Sequence, residues 1–291
     1  LYRDEAERAE ALSKDPYPKF RAELIKNKIF TEAELAAIDE KMKAEVLEAH
    51  KKAMKAPQPD PASIHDFLFA PEYKSTKYPD GVHQESGEPK KFIDAINETL
   101  KAEFRHNPKT FIWGQDMANK EKGGIFNVSK GMQQEFGIER VFNGPIAEDF
   151  ILGTANGFSR FDKEARVVVE GAEFADYFWP AMEQYLECSH DYWRSNGAFA
   201  PNVLIRLASG GYIGGGLYHS QNIEGNLAGI PGVRIVCPSF ADDAAGLIRT
   251  AMRSEGPTLY LEPKALYNSK SAMTVVPEDF EVPFGKARVR R

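Results

Sequence analysis

The feature that most limits the fold is an alternation of short apolar runs and helical patterns that begins at residue 92. The runs are rich in β-branched and aromatic residues: TFIWG (110–114), RVVVEG (166–171), NVLIRLAS (202–209), VRIVCPS (233–239) and TLYLEPK (258–264). Amphipathic segments with helical spacing accompany them, at 92–107, 147–162, 174–195 and 240–256. Apolar strands that alternate with helices are typical of βαβ units, so the pattern predicts an α/β fold with a parallel sheet.

A parallel sheet of this kind binds ligands beyond the carboxyl ends of its strands. The candidate positions therefore follow Trp113, Glu170, Leu207, Cys237 and Leu261. We expect the functional residues in the segments that come directly after these five positions.

The residues before this pattern predict a helical extension over 1–76. Thr31 and Glu34 have the spacing of a capping box, and Leu35, Ile38 and Met42 recur at helical spacing. So few apolar residues do not form an independent core, and we expect the extension to pack on another structure.

Three further segments complete the predicted domain organisation. Residues 77–91 are polar, contain Gly and Pro, and predict a linker. Residues 92–275 form the main predicted domain, and 276–291 predict the start of a linker to a further domain. Because the chain opens without Met, we expect it to be part of a longer protein.

Composition excludes several classes of function. The formal net charge of -6 gives no basic field for nucleic acid or an anionic membrane. The two cysteines, Cys188 and Cys237, lack the spacing of a metal site or a disulfide framework, so we expect a reducing compartment. No apolar run approaches the roughly 20 residues of a membrane helix. P-loop, G-x-G-x-x-G and G-x-S-x-G motifs are also absent, which argues against the enzyme classes that use them.

Glu148 is a candidate acid–base residue. It falls in the first turn of a predicted helix, after the apolar residues 145–147. Gly153 and Gly157 follow at i, i+4 spacing that implies close packing on another backbone. A Glu in a first turn commonly does no more than complement the helix dipole. An apolar setting, however, disfavours the charged form of a carboxylate and suits a group that exchanges a proton at neutral pH.

Two other stretches carry candidate site residues. His219 follows the glycine run 214–216, which allows a loop to pass close to a ligand. A histidine beside a loop is commonly only solvated or hydrogen-bonded, so His219 alone does not indicate a function. Tyr177 enters a helix at the carboxyl end of a strand. For its neighbours Phe178 and Trp179 we expect packing in the core, whereas the hydroxyl of Tyr177 suits a residue that faces a flat ligand.

These pieces, in this order, resemble the beta-type half of the thiamine-diphosphate-dependent 2-oxo acid dehydrogenases, the decarboxylating components of the pyruvate and branched-chain 2-oxo acid dehydrogenase complexes. The resemblance covers roughly residues 111–267. It includes GQDMANKEKGGIFNVSKGMQQEFGIERVFNGPIAE (114–148), VVVEGAEFADYFWPAMEQ (167–184) and GGGLYHSQNIEG (214–225). Residues 15–70 resemble the carboxyl end of the family's alpha subunit, so the chain looks like part of an alpha–beta fusion.

The resemblance implies a three-layer parallel-sheet thiamine-diphosphate-binding fold, the pyrimidine-side half, and residue roles within it. Glu148 matches the Glu that hydrogen-bonds a ring nitrogen of the cofactor's aminopyrimidine and so promotes loss of the thiazolium proton. His219 matches the active-site histidine, implied in proton transfer and acylation of the lipoyl group. Tyr177 falls where an aromatic residue lies against the pyrimidine. Glu173 falls where branched-chain members often have Gln, which leaves its role open.

The implied function is oxidative decarboxylation of a 2-oxo acid, of the branched-chain or pyruvate type, with acyl transfer to a lipoyl group. The implied partners are an alpha-type half, a lipoyl-bearing dihydrolipoyl acyltransferase, and further copies in a homo-oligomer or an alpha2beta2-like assembly. The compartment would be the bacterial cytoplasm or the mitochondrial matrix. We expect no nucleic acid or membrane partner.

The sequence departs from the family pattern at the two metal sites. Its G-D-G motif and magnesium ligands lie in the alpha half, and this sequence lacks the motif, so we expect the chain to be inactive alone. The family's beta subunit often holds potassium through an Asp at the position of Ser254. Only backbone carbonyls near Val203 and Leu204 remain as candidate potassium ligands.

Two alternatives stay open. One is another thiamine enzyme, such as a transketolase-like protein, which would lack the alpha-type tail and would not need a lipoyl acceptor. The other is a non-catalytic assembly fragment, against which the presence of Glu148 and His219 argues.

Overall fold

The computed structural model describes residues 4–77, 86–118, 123–286 and 290, and the chain divides into two compact units, 1–64 and 65–291. Residues 78–85, the greater part of the predicted linker, lie outside the described residues. The predicted domain limits stay a prediction.

The first unit is helical. Its helices are α1 (Glu5–Ser13), α2 (Pro16–Lys26) and α3 (Glu32–Met54), followed by a 3-10 turn at Pro61–His65. The predicted capping box opens α3: Glu34 N donates to Thr31 Oγ1 at 3.2 Å, and Thr31 N donates to Glu34 Oε2 at 2.8 Å.

The first unit buries almost no apolar surface. Among its described residues only Leu35 is buried, whereas Ile38, Met42 and Val46 of the same helix are exposed. Arg21 joins α2 to α3 through ion pairs with Glu32 at 2.6 Å and Asp39 at 2.7 Å. The unit therefore has almost no apolar core of its own, and polar contacts join α2 to α3.

The second unit contains the predicted parallel sheet. Its elements, in chain order, are α4 (Phe92–His106), β1 (Thr110–Gly114), α5 (Met132–Phe136), β2 (Val141–Asn143), α6 (Glu148–Phe161), β3 (Arg166–Ala172), α7 (Met182–Arg194), β4 (Val203–Ser209), α8 (Glu224–Leu227), β5 (Arg234–Val236), α9 (Ala241–Arg253) and β6 (Thr258–Pro263). The described strands form one six-stranded sheet in the order β2-β1-β3-β4-β6-β5, and every pair is parallel. The predicted α/β class is confirmed.

Helices cover both faces of this sheet, which gives three layers. Val167, Val169 and Ile205 point toward α6 and α7 in one core. Val168, Leu204 and Tyr260 point toward α4 and α9 in the other. Successive strand residues face opposite sides, so strands buried on both sides are apolar throughout. This explains why continuous β-branched runs, rather than alternating ones, marked the strands in the sequence.

Four elements differ from the sequence expectation. Two of them, the helices α5 and α8, have only five and four residues and were not predicted, because so short a segment shows no helical period. The edge strand β2 was not predicted, because three residues are too short to show a periodic pattern; it is placed by its pairing with β1, Ile112 against Val141. The helix predicted over 174–195 begins only at Met182, after 3-10 turns at Ala175–Tyr177 and Trp179–Ala181. Pro180 has no amide hydrogen to donate, which favours this break.

Residues 66–77, here called the strap, run along the amino-terminal edge of the sheet. Glu255 N donates to Pro71 O at 3.0 Å, and Tyr73 N donates to Ser254 Oγ at 2.9 Å. The Tyr73 hydroxyl donates to the buried Glu281 at 3.1 Å. The strap thus belongs to the second unit, at the edge opposite the carboxyl ends of the strands. Across the described part of the chain, no helix has the length and apolarity needed to cross a membrane.

Candidate functional site

The carboxyl edge of the sheet brings Glu148 next to the residue that follows β1. Glu148 is the first residue of α6 and is half-buried. The amide Nε2 of Gln115, which is buried, donates to Glu148 Oε1 at 2.8 Å. Glu148 Oε2 receives no hydrogen bond from the described residues. The carboxylate is therefore fixed through one oxygen and keeps the other available.

The surroundings of Glu148 are more open than the sequence suggested. Ile146 is 84% exposed and Phe150 52% exposed. A Cβ at Gly153 would lie 3.0 Å from Oε1 of Gln184 on α7, so this glycine does allow close packing. Gly157 has nothing within 4 Å of its Cβ position. The predicted packing of both glycines on another backbone is therefore wrong, because Gly153 meets the side chain of Gln184 and Gly157 meets no atom within 4 Å.

The turn after β1 is held by hydrogen bonds from the end of β2 and the residue that follows it. Asn143 accepts a hydrogen bond from Ala118 N at 2.8 Å and donates to Ala118 O at 3.0 Å. Gly144 N donates to Gly114 O at 2.8 Å. Asp116, between these anchors, has a φ of 51°, a left-handed conformation that non-glycine residues adopt at a cost. The strand missed by sequence analysis thus holds the turn that carries Gln115.

Glu173 lies beside this turn. It is half-buried, at the carboxyl end of β3, and its side chain hydrogen-bonds Asp116. Burial raises the pKa of Glu173, and the neighbouring carboxylate of Asp116 raises it further. Two carboxyl groups in contact are stable when they share a proton. Glu173 therefore contacts the turn that carries Gln115, and Gln115 in turn holds Glu148.

A second group forms around His219. The imidazole packs edge-on against Phe174, at 4.5 Å between ring centroids, and against Tyr177, at 5.4 Å. Its Nδ1 lies 3.0 Å from Gly215 O, within the predicted glycine run. Tyr177 is 42% exposed and is therefore not a core residue. No hydrogen bond or ring contact joins Glu148 to His219 among the described residues, so the edge holds two groups of candidate residues.

A layer of buried charge lies where the strands end. Arg206 on β4 donates to Glu262 on β6 through Nε, at 2.6 Å, and Nη2, at 2.9 Å. The hydroxyl of Tyr267 donates to Glu262 Oε2 at 2.7 Å. Glu170 on β3 stands opposite Arg206 in the sheet register. One arginine thus faces two buried carboxyl groups and forms its bidentate pair with Glu262.

Glu170, unlike Glu262, forms no ion pair with Arg206. Its Oε2 and the Arg206 Nη1 are both buried without a hydrogen bond from the described residues. Burial raises the pKa of Glu170 from 4.5 to about 8; the positive charge of Arg206 opposes this, and Glu262 reinforces it. Glu170 is therefore protonated at neutral pH, because ionisation would leave a second anion beside a single cation.

The expected potassium ligands are part of the sheet. Val203 and Leu204 open β4 and pair with Val167 and Val168 of β3. Ser254 is buried; its hydroxyl donates to Thr250 O at 2.7 Å and accepts the strap's Tyr73 N. The potassium site stays a prediction. Among the described residues, no group of three or more His, Cys, Asp or Glu side chains is placed to hold a metal.

Sequence reasoning missed several residues of this edge, notably Gln115, Asp176 and Lys264. Each had a weak signal. Gln115 directly follows β1, at one of the five predicted positions, and Asp176 lies beside Tyr177. Lys264 follows β6 and is fully buried, which its charge gave no reason to expect.

Two family models match the chain. Residues 88–270 match the family described as "Transketolase, pyrimidine binding domain". Residues 1–62 match "Dehydrogenase E1 component". The two matches fall on the sheet-containing segment and on the helical segment, respectively.

Curated relatives include dehydrogenase subunits from several organisms. The 2-oxoisovalerate dehydrogenase subunit beta of Bacillus subtilis (strain 168) is 37% identical over 201 residues, 69% of this chain and 60% of the relative. The mitochondrial 2-oxoisovalerate dehydrogenase subunit beta 2 of Arabidopsis thaliana is 35% identical over 210 residues, 71% of this chain and 56% of the relative. A pyruvate dehydrogenase E1 component subunit beta of Staphylococcus aureus (strain Mu50 / ATCC 700699) is 35% identical over 200 residues, 68% and 60% respectively. The chain therefore spans less than two thirds of the length of these relatives.

Proposed function

Because this chain belongs to the family of transketolase pyrimidine-binding domains and is a component of the thiamine-diphosphate-dependent 2-oxo acid dehydrogenase type, we propose that it takes part in oxidative decarboxylation of a 2-oxo acid. In this proposal the chain supplies the pyrimidine side of the active site. The acyl group formed is passed to the lipoyl group of an acyltransferase. Relatives of both the 2-oxoisovalerate and the pyruvate type match, so the substrate class is a 2-oxo acid with an aliphatic side chain.

The observation that carries the proposal is the held carboxylate of Glu148. Its Oε1 is engaged by Gln115 at 2.8 Å, which leaves Oε2 to bind a ring nitrogen of a pyrimidine. The exposed ring of Tyr177 offers a flat aromatic surface at the same edge of the sheet. A half-buried carboxylate together with an aromatic face fits the pyrimidine part of thiamine diphosphate.

The diphosphate part does not find ligands here. The G-D-G motif is absent from the sequence, and the described residues contain no cluster of metal ligands. We propose that an alpha-type half supplies both the magnesium and the diphosphate contacts. The active site would then lie between the two halves, and the open side of Glu148, with the exposed Ile146 and Phe150, would be covered there.

Within this site the chain's own residues bind, orient and move protons. Thiamine diphosphate, when bound, supplies the carbon nucleophile and the electron sink for loss of carbon dioxide. Glu148 would hold and exchange a proton at Oε2, with Gln115 fixing the plane of the carboxylate. Tyr177 would support the pyrimidine ring. His219 would move a proton during substrate addition and acyl transfer.

The test is decarboxylation of a panel of 2-oxo acids with thiamine diphosphate, magnesium and an artificial electron acceptor. It is run on this chain alone and on this chain combined with an alpha-type half. We expect turnover only in the combination, and the order of the rates identifies the preferred acid. A preference for ketose phosphates over 2-oxo acids would indicate the transketolase-like alternative. No turnover in a confirmed complex would indicate the assembly fragment.

A further inference from the structure

His219 lies in a loop, residues 210–222, whose two ends are joined by hydrogen bonds, and it comes two residues before Gln221 at one of those ends. Gly210 N donates to Gln221 O at 3.0 Å, and the Ser209 hydroxyl donates to Asn222 Oδ1 at 3.3 Å. Within the loop His219 Nδ1 lies 3.0 Å from Gly215 O. These contacts close the loop on itself. They do not anchor the loop to the turn that follows β3.

Asp176 supplies that missing anchor. Its Oδ2 accepts hydrogen bonds from Ser220 N at 3.1 Å and Gln221 N at 3.2 Å, and its Oδ1 also lies 3.2 Å from Gln221 N. These are the two amides that directly follow His219. In the described part of the chain, the only side chains outside the loop that hydrogen-bond it are Asp176 and, at its base, Ser209.

The turn that carries Asp176 also carries the rings that touch His219. Phe174 and Tyr177 flank Asp176 and contact the imidazole at 4.5 and 5.4 Å between centroids. One short segment therefore fixes both the backbone beyond His219 and two sides of its ring. A carboxylate that accepts backbone amides holds them more strongly than a neutral acceptor would.

Lys264 is buried close to the Phe174 ring that contacts His219. Asp176 is only 6% exposed, and Lys264 is fully buried. The Lys264 ammonium lies 5.4 Å from the centroid of the Phe174 ring and donates to Ala208 O at 3.3 Å. Burial lowers the pKa of Lys264, and the charge of Asp176 opposes that shift. The buried ammonium therefore lies close to the ring that contacts His219.

We propose that Asp176 is a positioning residue that orients His219 for its proton transfers. The inference rests on the proposed function for the chemistry that His219 performs. The geometry of the Asp176 anchor does not depend on the proposed function. Asp176 touches no reacting atom in this proposal and acts only through the loop.

Amide hydrogen exchange tests the anchor without any assumption about activity. In this chain, D176N should accelerate exchange at Ser220 and Gln221 by at least about tenfold, because an amide side chain offers one neutral acceptor in place of two charged oxygens. The matched control is D191N, which changes an equally buried carboxylate that pairs with Arg160 and Arg194. It should leave the two amides unchanged. Equal protection of both amides in D176N and the unmodified chain overturns the proposal.

A double-mutant cycle tests the link to His219 in the complex with an alpha-type half. D176N should slow acylation of a lipoyl domain by about 10- to 100-fold, whereas D176N added to H219A should cause almost no further loss, because the loop no longer carries a group to orient. Equal losses in both backgrounds contradict a positioning role. If the unmodified complex turns over no 2-oxo acid, the proposed function fails, and the exchange measurement still decides whether Asp176 anchors the loop.

Discussion

Gln115 and Glu148 are 33 positions apart in the chain and are joined by a hydrogen bond of 2.8 Å from the Gln115 amide to Glu148 Oε1. Gln115 follows β1, the second strand from the edge, and Glu148 opens α6 after the edge strand β2. The bond therefore depends on the pairing of β1 with β2, and it fixes the orientation of the carboxylate assigned here to the cofactor.

Replacing Glu148 by Gln keeps the shape of the side chain and removes its proton exchange. We expect E148Q to lower the decarboxylation rate of the complex by at least about 100-fold, with a smaller effect on cofactor affinity. The measurement is steady-state turnover with an artificial acceptor, beside a titration of thiamine diphosphate. The neighbouring variant D149N changes an exposed carboxylate and should remain close to the unmodified rate. Normal turnover by E148Q would refute the assignment.

Replacing Gln115 by Met keeps the length of the side chain and removes the donor to Glu148. The carboxylate then loses its fixed plane, so we expect the turnover number to fall by about 10- to 100-fold while the folding stability changes little. Q133M is the matched control, because Gln133 donates to Val141 O away from Glu148. If both variants slow the reaction equally, the loss reflects general loosening of the fold.

Glu170 should make stability depend on pH. Its pKa is about 8 in the folded chain, against 4.5 as the usual value, so the folded state binds the proton more tightly. The stabilisation is fully present below about pH 4.5 and is lost as the pH rises through about 8. One pKa unit corresponds to about 1.4 kcal/mol. Between pH 5 and pH 8.5 the unmodified chain should therefore lose on the order of 2–4 kcal/mol in the free energy of unfolding that E170Q does not lose.

Urea unfolding at several pH values measures this difference. The neutral amide of E170Q cannot ionise, so its own contribution should be independent of pH. Parallel stability curves for E170Q and the unmodified chain would mean that Glu170 is ionised in the folded state.

Removing one partner of the buried ion pair Arg206–Glu262 should strongly lower the free energy of unfolding. E262Q removes the charged bidentate acceptor of the buried guanidinium and leaves it facing Glu170, whose Oε2 has no hydrogen-bond partner among the described residues. We expect a loss of about 3–5 kcal/mol in the free energy of unfolding. The double variant R206M/E262L removes both charges and should recover most of that loss. Denaturant unfolding of the three proteins at one pH checks the order. A double variant less stable than E262Q would contradict it.

Much of the fold was determined by the sequence itself. β1, β4, β5 and β6 lie within their predicted runs, and β3 extends one residue beyond its run, to Ala172. Strands buried on both faces need apolar, β-branched residues throughout, which is why the runs marked them. The same argument predicted that ligand-binding residues follow the strands, and Glu148, Tyr177 and His219 all lie at that edge. Their roles came from the resemblance to a family, and they stay predictions.

Only the tertiary structure decided how these residues are held. β2 has three residues and is recognisable only by its partner β1. The bond between Gln115 and Glu148 spans 33 positions, and that between Asp176 and Ser220 spans 44. The proton on Glu170 depends on burial beside Arg206 and Glu262, which come from other strands. A sequence pattern encodes the local preference of a segment for strand or helix, whereas hydrogen bonds and shared charge depend on which segments the sheet order brings together.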